Sequence, residues 1–150
     1  MFLKKLSLCS FLCVLALSLA FTFTALAQDK DPDTITVDDL NKEGPLTQRD
    51  IDVYLEYVGK SKDFMAKMQE NPQYDIKGEW LKFAKDHQIS SIRFNYVSEK
   101  IPFGLMAISA ADPKSIPAPD APFLKLSDEE KKLLTANRDK IIAAFEALKK

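Results

Sequence analysis

SDEEKKLLTANRDKIIAAFEALKK, residues 127–150, is a helix written with both of its ends. Ser127 and Glu130 have the spacing of a capping box, in which each side chain satisfies a backbone N–H that the first turn leaves free. Asp128, Glu129 and Glu130 stand at the positive end of the helix dipole, and Lys149 and Lys150 suit the other end. Between them Leu133, Leu134, Ile141, Ile142, Phe145 and Leu148 line one face at helical period. The chain reads from this stretch as an all-α protein.

The same signals recur upstream. Thr47, with Asp50 three positions on, opens a helix that runs to about Glu70, where Asn71-Pro72 stops it. Ile51, Tyr54, Leu55, Val58, Met65 and Met68 form one apolar stripe on it, and Val53, Tyr57 and Phe64 a second. Two stripes predict neighbours on both sides, or a face covered by a second copy. A shorter helix is expected over Asp75–His87, built on Trp80, Phe83 and Ala84, with Gly78 weakening its start. Ser90 or Ser91 caps a third, to about Ala110, in which Pro102 predicts a kink rather than a break. Ile89 to Val97 is the one stretch that competes as a strand.

Between the third and last helices lies DPKSIPAPDAP, residues 112–122, with four prolines. In polyproline geometry its eleven residues reach roughly 34 Å, about the 32 Å of a 21-residue helix. Such a linker can return along a whole helix, so the helices it joins need not be antiparallel. Residues 45–150 thus read as a single small bundle of about four helices with a Pro-rich linker before the last.

Residues 1–27 read as a signal peptide: Lys4 and Lys5, an apolar core from Leu6 to Phe23, and the Ala25-Leu26-Ala27 site with cleavage expected after Ala27. A periplasmic or secreted protein follows. Cys9 and Cys13 would leave with the leader, which removes disulfide, thiolate and Cys-nucleophile chemistry. The loss of Lys4 and Lys5 would take 21 basic residues to 19 against 22 acidic ones, a net charge of −3. That mild acidity and the missing basic stripe speak against nucleic acid as a partner. Nothing after residue 27 is long and apolar enough to span a bilayer. Residues 28–44 read as an acidic polar tail, pinned where Ile35, Val37 and Leu40 find a groove.

Catalytic and metal signatures fail one by one. Asp29, Asp31 and Asp33 alternate like the start of a calcium loop, but the sixth position is Thr34 and the twelfth is Leu40. His87 is the only histidine and reads as a helix C-terminal residue favoured by the dipole. A zinc site and haem ligation find too few partners. Asp50 with Asp52, and Glu129 with Glu130, read as capping chemistry rather than acid–base pairs. No cofactor and no metal is expected. Leu46-Thr47-Gln48-Arg49-Asp50 and Leu126-Ser127-Asp128-Glu129-Glu130 resemble the Leu-Thr-x-x-Gln helix openings of helical periplasmic stress chaperones. Asp50 and Glu130 stand where that pattern has glutamine, and two helix starts assign no family.

The functional expectation rests on surplus apolar surface. Residues 101–111, IPFGLMAISAA, carry no charge and mix large with small side chains, as a central helix does, or the wall of a groove or interface. Tyr54, Tyr57, Phe64, Met65, Met68, Tyr96, Phe103 and Met106 are the candidate binding residues, since methionines and tyrosines make adaptable contact surfaces. The leading expectation is a non-enzymatic exported protein acting through a protein partner or homodimer in the bacterial envelope. A carrier of a small apolar ligand held between the first and third helices is second. An enzyme with an unrecognised carboxylate or tyrosine site is third.

Overall fold

The computed structural model describes residues 30–110 and 121–148. The leader, and the linker up to residue 120, lie outside the described residues. Among the described residues five α-helices follow one another: α1 (Val37–Leu40), α2 (Gln48–Glu70), α3 (Ile76–Asp86), α4 (Ser91–Ser109) and α5 (Asp128–Ala147). Among the described residues there is no strand, and Ile92 to Val97 lie inside α4. The fold is an all-α bundle of four substantial helices, as the periodicity predicts.

Local chemistry sets the boundaries. Thr47 with Asp50 and Ser127 with Glu130 form reciprocal capping boxes at the starts of α2 and α5. Asp75 caps α3 through the Gly78 N–H, and Ser90 caps α4 through the Arg93 N–H. α4 stays continuous through Pro102. The ring removes one donor, the N–H that would have reached the Ser98 carbonyl one turn back. The Ser98 hydroxyl at the same place is buried with no hydrogen-bond partner.

The segment read as an acidic tail is more ordered than its composition suggests. Asp31 caps a 3₁₀ turn over Pro32–Thr34, and Thr36 with Asp39 builds a third capping box around α1. Ile35 packs on the core and Leu40 is buried in it, whereas Val37 stays 51% exposed. The groove expected for Ile35, Val37 and Leu40 therefore takes two of the three. α1 is one turn long, too short for any apolar stripe to betray it.

Paired contacts give the topology. Glu56 meets His87, Lys60 lies over Phe83 and Lys67 reaches Tyr74, so α2 and α3 form an antiparallel hairpin. α3 brings the chain back towards the start of α2, where Arg49 bonds the His87 carbonyl and α4 begins. Lys100 then pairs with Glu130, Gly104 faces Leu134, and Ser109 meets Arg138. Both residue numbers rise together, which makes α4 and α5 parallel neighbours. Parallel neighbours require a crossover, the arrangement that the length of the Pro-rich linker permits. The larger core cluster joins α2, α4 and α5 around Ile51, Ile101, Leu134 and Ile141, none of which is exposed. Each such side chain contributes about 1.5–3 kcal/mol of burial. A smaller cluster of Val53, Phe83, Ala84 and Phe94 holds α3 against α2 and α4.

Candidate functional site

The eight candidate binding residues do not line one groove. Tyr54, Phe64 and Tyr96 are buried, and Tyr57 and Phe103 are half-buried. Met65, Met68 and Met106 are 41%, 37% and 58% exposed. Tyr54 belongs to the larger core cluster, its ring meeting that of Phe145 edge-on with centroids 6.3 Å apart. Burial pushes its hydroxyl up to about 12. Tyr57 joins the smaller cluster instead, with Phe83 at 5.4 Å and Phe94 at 5.0 Å. The upstream parts of the two stripes on α2 thus serve two clusters, Ile51, Tyr54, Leu55 and Val58 the larger and Val53 and Tyr57 the smaller, while Met65 and Met68 stay exposed.

The second half of α4 behaves differently. Ile101, Gly104, Leu105 and Ile108 turn to the core and to α5. Phe103, Met106 and Ala107 follow at intervals of three and one, the spacing of a second face. That face is half-buried to exposed, and it lies in the stretch without a charge.

The first half of α4 carries the polar centre of the molecule. Arg93, Tyr96 and Lys100 share one side of the helix, and the Tyr96 ring lies between the two cations, 4.9 Å from the guanidinium carbon and 5.0 Å from the ammonium. Arg93 donates to Asp50 at 2.6 and 3.2 Å, and to the Gly44 and Pro45 carbonyls at 2.6 and 2.7 Å. Lys100 pairs with Glu130 at 2.7 Å and donates to the Tyr96 hydroxyl at 2.8 Å. Glu130 also accepts the N–H groups of Leu46 and Ser127. Burial alone would raise its carboxyl, but the Lys100 ammonium and those two donors outweigh burial and hold it below the ordinary range. Burial likewise opposes the charge on Arg93, and Asp50 reverses that too.

The capping-box carboxylates of α2 and α5 therefore each take a cation from α4. Sequence reasoning found Asp50 and Glu130 as caps and missed Arg93 and Lys100 as their partners. The available signal was position: Arg93 lies between Ile92 and Phe94, and Lys100 follows Val97 by three residues and directly precedes Ile101.

Two hollows border this centre. One, of 390 Å³, is walled by Arg49, Asp50, Gln88, Ser90 and Arg93. The other, of 260 Å³, is walled by Glu43, Tyr96, Lys100, Phe123 and Glu130. Arg93 is paired there with Asp50 and Glu43, and Lys100 with Glu130, while Arg49 donates to the His87 carbonyl, an arrangement that suits rigidity. Among the described residues no group of three or more His, Cys, Asp and Glu gathers that could hold a metal ion. None of the described helices is long and apolar enough to cross a membrane. Compared with protein-family models, with curated proteins and with solved structures, the chain matches none.

Proposed function

We propose that this is an exported, non-enzymatic helical protein of the bacterial envelope that acts by association, with a protein partner or with a second copy of itself. The observation that carries this reading is the second face of α4, with Met106 58% exposed in a stretch of eleven uncharged residues. An apolar face of this kind beside a well-filled core is what a contact surface requires. The leader pattern supports export. The pairing of Arg93 with Asp50 and of Lys100 with Glu130 supports a scaffold rather than a catalyst, because each of these charges is already engaged by another.

Native mass spectrometry of the protein recovered from the periplasm tests the reading. A dimer or a protein complex is the expected species, and Met106→Glu should weaken it by about tenfold or more, the cost of forcing a charge into an apolar contact. A bare monomer in parent and variant alike would sink the proposal. A co-purifying small apolar molecule would favour the carrier reading instead, although both hollows described above are walled by charged side chains.

A further inference from the structure

Sulfur is confined to the surface. The described residues hold three methionines and no cysteine, and neither core cluster contains any of the three. Met65, Met68 and Met106 are all exposed, although an unbranched thioether fills core gaps well. The buried clusters are built instead from Ile, Leu, Val, Phe, Tyr and Ala. Oxidation turns a methionine into a polar sulfoxide, which disrupts a core or a methionine-bearing contact surface. In this fold the sulfoxide meets no core.

The three sulfurs differ in their surroundings. Met65 and Met68 stand on α2 among Lys62, Asp63, Lys67 and Glu70, all exposed, so one more polar group there changes little. Met106 stands in the uncharged stretch 101–111, with Phe103 and Ala107 half-buried on the same face of α4. A sulfoxide at Met106 puts a strong hydrogen-bond acceptor into the middle of an apolar face.

We propose that Met106 is a reversible oxidation site that switches off the apolar face of α4, with a hydroperoxide as oxidant and a dithiol-driven sulfoxide reductase as the route back. This regulation rests on the reading of that face as a contact surface. The sulfur lone pair takes one oxygen of hydrogen peroxide: the S–O bond forms, the O–O bond breaks, and the departing hydroxide collects the proton of the transferred oxygen and leaves as water. Sulfur loses two electrons and the peroxide gains them. On the way back the sulfoxide oxygen leaves as water while two thiols become a disulfide. Neither core cluster takes part, so the fold persists in both states.

Treatment with hydrogen peroxide, followed by peptide mass analysis, should place an added oxygen on Met106 at a rate within about threefold of that of free methionine, since exposure governs susceptibility. The melting temperature at the dilute limit should move by no more than about two degrees, as for other exposed changes. The dimer or complex recovered from the periplasm should weaken by about tenfold, the effect of an unpaired polar group in an apolar contact. Methionine sulfoxide reductase with dithiothreitol should restore it. Met106→Leu keeps volume and apolarity, so its complex should hold within about twofold through the same treatment. A chain carrying Met65→Leu and Met68→Leu should weaken like the parent. Undiminished association of the oxidised parent, equal weakening in Met106→Leu, or unfolding on oxidation would each overturn the proposal. A bare monomer before any peroxide would instead remove the contact-surface reading. Retention on a hydrophobic-interaction column then decides the oxidation site alone: the chain with Met65→Leu and Met68→Leu must elute earlier after peroxide, and unchanged retention overturns the site.

Discussion

Gln88 shows how a single residue can work against its position. The Gln88 N–H bonds the Lys85 carbonyl and the Ile89 N–H bonds the Ala84 carbonyl, the two bonds that close a helix with a left-handed residue. Glycine is the usual occupant, because any Cβ strains that conformation. Gln88→Gly should therefore stabilise the fold by about 0.5–1 kcal/mol, less than the full left-handed penalty because glycine is also freer when unfolded. Urea denaturation checks this, and a loss of stability would mean that the glutamine side chain holds the corner.

Lys100 is the opposite case, a charge that its surroundings demand. It and Glu130 are 4% and 3% exposed. Lys100→Met strands a buried carboxylate and should cost about 3–5 kcal/mol, whereas Lys100→Met with Glu130→Gln should cost clearly less. Equal losses in the single and double variants would show that the pair is not coupled. The same pair fixes an acid dependence. A carboxyl held below its ordinary range binds fewer protons folded than unfolded, so its contribution is present above that range and lost as pH falls through the folded value. Carboxyl-carbon NMR of Glu130 should show a midpoint below that of an ordinary glutamate, and one at or above it would refute the assignment. The caps themselves were legible, since Thr47 with Asp50 and Ser127 with Glu130 are local patterns. Their second bonds, to Arg93 and Lys100, join residues 43 and 30 positions apart, and no spacing rule encodes those.

Among the elements, the parallel contact of α4 and α5 depends on Gly104. A Cβ there would stand 2.5 Å from a methyl carbon of Leu134, a side chain with no exposure, and 3.3 Å from Leu126. Gly104→Ala gains about 1 kcal/mol of helix propensity but must displace the fully buried Leu134 side chain, at a typical overpacking cost of about 1–3 kcal/mol. Net destabilisation is expected. Gly59, in the exposed middle of α2, has nothing within 4 Å of the same position. Gly59→Ala should raise stability by about 0.5–1 kcal/mol, and thermal unfolding of the two variants side by side isolates packing from propensity. Should both shift the same way, the close approach of α4 to α5 does not matter energetically. In the sequence Gly104 looked like one small residue among several. The helix ends were readable to within a residue or two because caps and Asn71-Pro72 mark them, while the partner of each face was not, because two stripes on α2 say only that neighbours exist.

At the scale of the whole molecule, proline and burial together decide what is left over. A Pro-rich linker long enough to cross over lets α4 and α5 run parallel, and α5 then covers the side of α4 that bears Gly104. The side that bears Phe103, Met106 and Ala107 is left outside both core clusters. The composition of residues 101–111 made surplus apolar surface visible, but which half of it would be buried depended on a crossover that sequence permitted without requiring. If a second copy covers that face, folding and association are linked, and the melting temperature must rise with protein concentration. Over a hundredfold range of concentration a shift of several degrees is expected, since mass action then contributes about 2.7 kcal/mol and one kcal/mol moves a domain of this size by roughly 2–6 °C. Met106→Glu should abolish the slope while leaving the melting temperature at the dilute limit within about a degree, because a side chain 58% exposed contributes little to the monomer. A flat concentration dependence in the parent chain would exclude self-association and leave a different protein as the occupant of α4.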